Sequence, residues 1–222
     1  MYSYSINPVF GINAEIVLRA FLDRVFSETV ETVMDAAEYE IPDDESIDIE
    51  DVYQSRHGNH EAYKRLIERY EQAIAKIMWR FSRDKLVHEE LVQDVFVEAY
   101  LSLTTFKQHA PFIHWLRKIA TRVGYRYWKE QAKQHYRENF TLHEWDQVLA
   151  ESPDKIESEQ AGELLHRLLD QLPPRDRLVL TLRFVEGCDV AQTAYRTGWS
   201  RSMVKVQTIR AKRKLKKIFP DA

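Results

Sequence analysis

Apolar residues recur along most of this chain at three- and four-residue spacing, and no stretch shows the strict alternation of a half-buried strand. Over 13–36 the positions Ile16, Val17, Ala20, Phe21, Val25 and Val33 fall near helical spacing, with Asn13 placed as a cap. A second helix buries Tyr63, Leu66, Ile67, Tyr70, Ile74, Ile77, Met78 and Phe81 on one face, and Asn59 suits its N-cap. A third, over 87–103, turns Leu91, Val92, Val95, Phe96, Ala99 and Leu103 inward and shows Glu89, Glu90, Gln93 and Asp94 on its other face. A fourth starts at Pro111, a residue suited to a first turn, and buries Phe112, Trp115, Leu116, Ile119, Ala120 and Val123.

Periodicity is lost over 138–160, and helices resume at about 160–171, 174–186, 189–197 and 201–219. Pro174 fits an N1 position, and Gly187 and Gly198 fit left-handed C′ positions. Ser200 caps the last helix and Pro220 follows its end. Ala194 is small enough for two helices to approach, and Val204 and Ile209 are expected to face inward. The chain is therefore all-α, with two small helical domains joined by a linker. The divisions are 1–50, an acidic N-terminal extension; 51–137, a helical bundle; 138–159, the linker; and 160–222, a helix–turn–helix unit.

Charge sharpens this division. Residues 1–60 carry three basic residues against thirteen acidic ones, whereas the remainder carries 29 basic and 22 acidic. An acidic head on a basic body suits a body that meets a polyanion. The segment 35–51, broken by Pro42, reads as a flexible connector or as a stretch ordered only on contact with a partner. The single cysteine, Cys188, excludes an intramolecular disulfide and fits a reducing compartment. With no apolar run of membrane-spanning length and no signal-peptide pattern, membrane insertion is not expected and the cytoplasm is.

Two basic elements carry the candidate chemistry. From Arg201 to Phe219 eight lysines and arginines occur without an acid, on the second helix of a tight glycine-punctuated pair, the arrangement that puts a helix into a DNA groove. Lys118, Arg122, Arg126, Lys129 and Lys133 form a stripe along the fourth helix. Such a stripe tracks phosphates, and rings beside it stack on unpaired bases. Phe112, Trp115 and Tyr127 belong to the core by position, leaving Tyr125 and Trp128, off the apolar face, as stacking candidates. No histidine pairs with Cys or a carboxylate at metal-ligand spacing, and the chain has neither a phosphate loop nor a nucleophile elbow. Catalytic residues, metals and cofactors are not expected, and Cys188 reads as a small turn residue.

Three segments carry a resemblance. They are Glu89-Glu90-Leu91-Val92-Gln93-Asp94-Val95-Phe96, the run from Phe106 to Ala120 with its Trp115-Leu116 and Ile119-Ala120, and Leu172-Pro173-Pro174-Arg175-Asp176-Arg177 followed by Leu182-Arg183 and Glu186-Gly187. In this order they resemble the extracytoplasmic-function (ECF) sigma factors, two-domain initiation subunits of bacterial RNA polymerase, over about residues 52–217. The bundle then corresponds to sigma region 2 and the helix–turn–helix to sigma region 4.

The resemblance implies that Glu89, Glu90, Gln93 and Asp94 dock on the clamp helices of the polymerase β′ subunit. It implies that Lys107, Gln108, His109 and Ala110 form a loop that captures a flipped base of the melted minus-ten element. Lys118, Arg122, Tyr125, Arg126, Trp128 and Lys129 then hold the strand. Arg201, Ser202, Lys205, Gln207 and Arg210 read the minus-thirty-five element in the major groove, with Arg213 and Lys214 on phosphates. The acids Glu144, Asp146, Glu151 and Asp154 of the linker mimic the charge of nascent RNA.

Departures from the family pattern are Arg122 in place of a frequent Asn, Gln192-Thr193-Ala194 for "EIA", and Met203-Val204-Lys205-Val206-Gln207 for "TVKSR". The competing reading is a helix–turn–helix regulator acting without core polymerase. For the head two readings stand. In one, residues 1–50 inhibit intramolecularly, with Asp43, Asp44, Glu45, Asp48, Glu50 and Asp51 over a basic DNA-binding surface. In the other the head is a docking site for an anti-sigma factor or similar regulator, or contributes to dimerisation.

Overall fold

The computed structural model describes residues 14–26, 45–137 and 158–218. Among them every regular element is helical: α1 (Ala14–Phe26), α2 (Glu45–Arg56), α3 (His60–Met78), α4 (Lys85–Ser102), a 3₁₀ turn (Leu103–Thr105) and α5 (Phe112–Arg137). Then come α6 (Ser158–Asp170), α7 (Pro174–Leu180) with a π-helical continuation (Thr181–Val185), α8 (Val190–Thr197) and α9 (Arg201–Ile218). None of the described helices is long and apolar enough to cross a membrane.

Local chemistry accounts for most ends. Asn59 accepts the backbone N–H groups of Glu61 and Ala62 at 3.1 and 3.2 Å and starts α3. Asp84 accepts that of Val87 at 3.0 Å and starts α4. Gly187 and Gly198 take positive φ, 71° and 75°, where a side chain would strain the backbone. The expected continuous helix over 174–186 instead widens after Leu180: Glu186 N–H bonds the Thr181 carbonyl at 2.9 Å, the five-residue reach of a π turn.

The N-terminal module is α2–α5 around Leu66, Tyr70, Ile74, Met78, Phe81, Val95, Phe112 and Leu116. The C-terminal module is α6–α9 around Leu168, Leu172, Val179, Leu180, Val204 and Leu215. They are not separate: Leu178 and Leu182 of the C-terminal module pack into the N-terminal core.

The head departs most from its expectation. Residues 45–51, expected within a flexible connector, begin α2, which runs across the boundary expected at residue 50 and packs on α3. Asp48 and Asp51 do not cover a basic surface. They are buried, with Asp51 accepting from Arg65 at 2.6 and 2.9 Å and from Arg69 at 2.9 Å. Asp48 binds Arg69 and the Tyr70 hydroxyl. The acids are inside because α3 presents two arginines to them, a pairing that the acidic run alone does not reveal. The helix expected over 13–36 is described as α1, which buries Phe21, Leu22 and Val25 against the C-terminal module. Asn13, residues 27–44, the linker over 138–157 with its four acids, and Pro220 lie outside the described residues.

Gly124 of α5 lies directly against the turn that follows α3. A Cβ there would lie 2.3–2.4 Å from the Phe81 ring, which is fully buried. Gly124→Ala is expected to destabilise the protein by about 1–3 kcal/mol, the usual range for overpacking, measured as a lower midpoint in urea unfolding.

Candidate nucleic-acid interface

α4 presents one largely polar face to solvent. Glu89, Glu90, Gln93 and Asp94 are all exposed. Leu86, Val97 and Leu101 are exposed on the same helix, Leu86 four residues before Glu90, Val97 four after Gln93, and Leu101 four after Val97. The face thus carries acidic groups between apolar ends, which suits a protein surface more than water alone.

The chain then leaves the 3₁₀ turn through Phe106, buried 5.4 Å from the Phe112 ring and 5.5 Å from Trp115. Lys107, Gln108 and His109 are exposed and Ala110 is half-buried. Gln108 has φ 55°, a left-handed conformation uncommon for a side-chain-bearing residue. Arg56, which the sequence pattern did not single out, binds the carbonyls of Leu103 and Phe106 beneath this loop.

On α5 the stripe divides. Arg122 and Arg126 are exposed and both bind Glu98 of α4, at 2.7 and 3.0 Å. Burial alone would raise the Glu98 carboxyl, but hydrogen bonds from Arg122 and Arg126 hold it below the usual range. Lys129 is exposed, 5.6 Å from the Tyr125 ring centroid. Lys118 lies 4.9 Å from the Tyr195 ring of α8. Tyr125 is half-buried edge-on to Trp199, and desolvation raises its phenol. Trp128 corrects its expectation: it is not an open platform but is 3% exposed. Its Nε1 donates to the Phe81 carbonyl at 2.8 Å, and the Arg177 guanidinium lies 3.9 Å over its ring. The ring turns inward because the C-terminal module supplies a cation to cover it.

The helix–turn–helix is closely specified. Asp189 accepts the Gln192 N–H at 2.7 Å while the Gln192 side chain accepts the Asp189 N–H at 2.8 Å, a capping box that starts α8. Gln192, one of the departures from the family pattern, serves this cap. Gly198 N–H closes α8 on the Ala194 carbonyl at 2.9 Å, and Ser200 Oγ accepts the Met203 N–H at 3.2 Å to start α9. Arg201, Ser202, Lys205, Arg210 and Arg213 are exposed on α9.

Two positions on α9 differ from expectation. Gln207, expected to reach DNA, is buried and donates to Asp176. Ile209, expected inward, is 52% exposed. The inward row is Val204, Gln207, Ala211 and Leu215, because the buried Asp176 of α7 draws a donor to that face. Lys214, half-exposed, also binds Asp176, at 2.5 Å.

Between the modules lies a cluster of charges that no local pattern signalled. Glu186 follows the π turn and is buried, paired with Arg80 at 2.9 Å and with Arg196 of α8. Burial by itself would raise the Glu186 carboxyl; Arg196 and Arg80 together lower it. Arg196 is 8% exposed, and its Nε donates to Thr121 Oγ1 of α5 at 3.0 Å. Arg117 stands beside them, its guanidinium shifted down by burial and by repulsion from Arg196.

Comparison with known proteins settles the kinship. A model of sigma-70 region 2 matches residues 66–134, and a model of sigma-70 region 4 matches residues 162–215. Together they span more than half of the chain. The ECF RNA polymerase sigma factor SigX of Bacillus subtilis is 28% identical over 163 residues, covering 71% of this chain and 83% of its own length. The ECF RNA polymerase sigma-E factor of Escherichia coli is 25% identical over 145 residues, covering 62% of this chain and 75% of its own. The chain belongs to the ECF group of the sigma-70 family. A solved structure of CnrH in complex with the cytosolic domain of CnrY shares its fold, at 23% identity and a TM-score of 0.50, covering 79% of this chain and 99% of that one.

In this sigma factor the region 2 match contains α4, the loop and most of α5, and the region 4 match contains α7, α8 and most of α9. Helices α1 and α2 precede both. Two outcomes follow from the charge arrangement. Glu186→Gln leaves the buried Arg196 and the part-buried Arg80 without their carboxylate and is expected to lower unfolding free energy by about 3 kcal/mol, read by chemical denaturation. Glu98→Gln releases Arg122 and Arg126. Binding to a labelled random single-stranded oligonucleotide should tighten, with log K against log salt steeper by about 0.7 per phosphate gained.

Proposed function

We propose that this sigma factor brings core RNA polymerase to promoters through three surfaces on its two modules. The exposed acidic and apolar face of α4 docks on the clamp helices of the β′ subunit, with Glu89, Glu90, Gln93 and Asp94 around Leu86, Val97 and Leu101. The loop Lys107–Ala110 takes a flipped base of the melted minus-ten strand, and Lys118, Arg122, Arg126 and Lys129 hold its phosphates. The outer face of α9 enters the major groove at the minus-thirty-five element. There Arg201, Ser202, Lys205 and Arg210 reach base edges or phosphates, and Arg213 reaches phosphate. Val206 and Ile209, 47% and 52% exposed between these polar groups, are placed for thymine methyl groups. Gln207 and Lys214 serve the internal Asp176 instead.

The observation that carries this reading is the presence of both basic elements, α5 and α9, beside an acidic face on α4, in one chain and in the order of regions 2 and 4. A helix–turn–helix regulator working alone needs only α8 and α9. The modules are taken as 45–137 and 158–218, joined by 138–157.

The arrangement seen is closed. Tyr125 and Trp128 face Trp199 and Arg177, and Lys118 faces Tyr195, so part of the strand-binding side of α5 is covered by the C-terminal module. We read this as the idle form, which opens when polymerase and promoter bind the two modules.

Run-off transcription with bacterial core polymerase on promoters selected from a random library tests the whole. Specific transcripts are expected from the full chain. Arg80→Met, which frees one side of the inter-module pair while leaving Glu186 its Arg196 partner, is expected to raise affinity for a single-stranded oligonucleotide about fivefold. No transcript, with double-stranded DNA binding intact, would favour a regulator independent of polymerase.

A further inference from the structure

Arg56 ends α2, lies before both family matches, and binds groups 47 and 50 residues further along the chain. Its Nε and Nη2 donate to the Leu103 carbonyl at 3.1 and 2.8 Å, and Nη2 also donates to the Phe106 carbonyl. These carbonyls belong to the end of the α4–3₁₀ run. The Leu103 carbonyl already accepts the Phe106 N–H at 3.2 Å, yet an oxygen at a helix end keeps a second lone pair for a further donor and carries a partial negative charge. A guanidinium answers both needs, and its planar fork fixes two acceptors at once.

What it fixes is the root of the loop. Phe106 is the last anchored residue before Lys107, held by its ring against Phe112 and Trp115 and by its carbonyl on Arg56. Two residues later Gln108 holds φ 55°. Such a conformation persists only where the flanking structure dictates it. Arg56 is itself seated firmly, since α2 is tied to α3 through Asp48 and Asp51 on Arg65, Arg69 and Tyr70. A rigid path therefore runs from the α3 surface through α2 to the loop.

We propose that Arg56 is a positioning residue for minus-ten recognition, holding loop Lys107–Ala110 in the conformation that receives the base while making no DNA contact of its own. This rests on the reading of that loop given above. The test compares the full-length protein with Arg56→Met and Arg56→Lys. Two readouts are taken: hydrogen exchange of the amides at 105–110 in the free protein, and run-off selectivity between the best promoter and versions changed at single minus-ten positions.

Arg56→Met is expected to speed exchange at these amides and to cut selectivity at one minus-ten position about tenfold, with affinity for core polymerase unchanged. Arg56→Lys, a point donor without the fork, should recover part of both. Unchanged exchange would overturn the proposal, as would faster exchange with selectivity intact. A uniform loss on all promoters, with the salt slope reduced by about one, would make Arg56 a phosphate contact and also overturn it. Absence of transcripts from the wild type would strike the reading of the loop itself, whereas exchange would still report whether Arg56 holds it. If Arg56→Met does not fold, Arg56→Gln and Arg56→Lys carry the same comparison.

Discussion

A single buried carboxylate, Glu186, holds the arrangement of this molecule. It sits where the π turn ends and meets Arg80 from the N-terminal module and Arg196 from the helix–turn–helix. Its charge keeps the Arg196 guanidinium in a place from which desolvation would otherwise expel it, and draws the part-buried Arg80 to the same point. The pairing also orients Arg196 so that its Nε reaches Thr121 on α5, and brings α8 onto the helix that carries the basic stripe. Positive charge still exceeds negative there. Arg117 stands close by, and Arg196 Nη2 lacks a hydrogen-bond partner among the described residues. A contact of this kind gives a definite geometry at modest net stabilisation, which suits the proposed opening of the two modules.

The same economy of charge governs both proposed DNA-reading surfaces. Glu98 occupies two arginines of α5, and Asp176 occupies Gln207 and Lys214 of α9. Each carboxylate neutralises cations that still face solvent. On α9 the cationic groups that remain exposed and unclaimed by Asp176 are Arg201, Lys205, Arg210, Arg213, Lys216 and Lys217. Net charge along the sequence therefore overstates the charge that a strand or a groove meets.

The N-terminal segment reaches both modules. α1 covers apolar residues of the C-terminal module through Phe21, Leu22 and Val25, and α2 is built into the N-terminal module through Asp48 and Asp51. The two described helices of the acidic head thus serve different partners. The head is not a single appendage; its second helix supplies Arg56 to the loop that the family resemblance associates with base capture.

Most of the helices, though not α2 or the π turn, most of their ends, and the family were legible in the order of residues alone. Periodicity of Tyr63, Leu66, Tyr70 and Ile74, the Asn59 cap, and glycines at 187 and 198 act within a few residues, so their signals are local and readable. The acidic face of α4 and most of the basic face of α9 were legible for the same reason, since helical spacing alone places them. Tertiary structure decided what depends on partners distant in sequence. Trp128 turned inward because Arg177 covers it, Gln207 because Asp176 is buried opposite, and Asp48 and Asp51 because Arg65 and Arg69 face them. In each case a polar or aromatic group found its partner across elements, and the energy of that pairing has no signature in the spacing of the residues that make it.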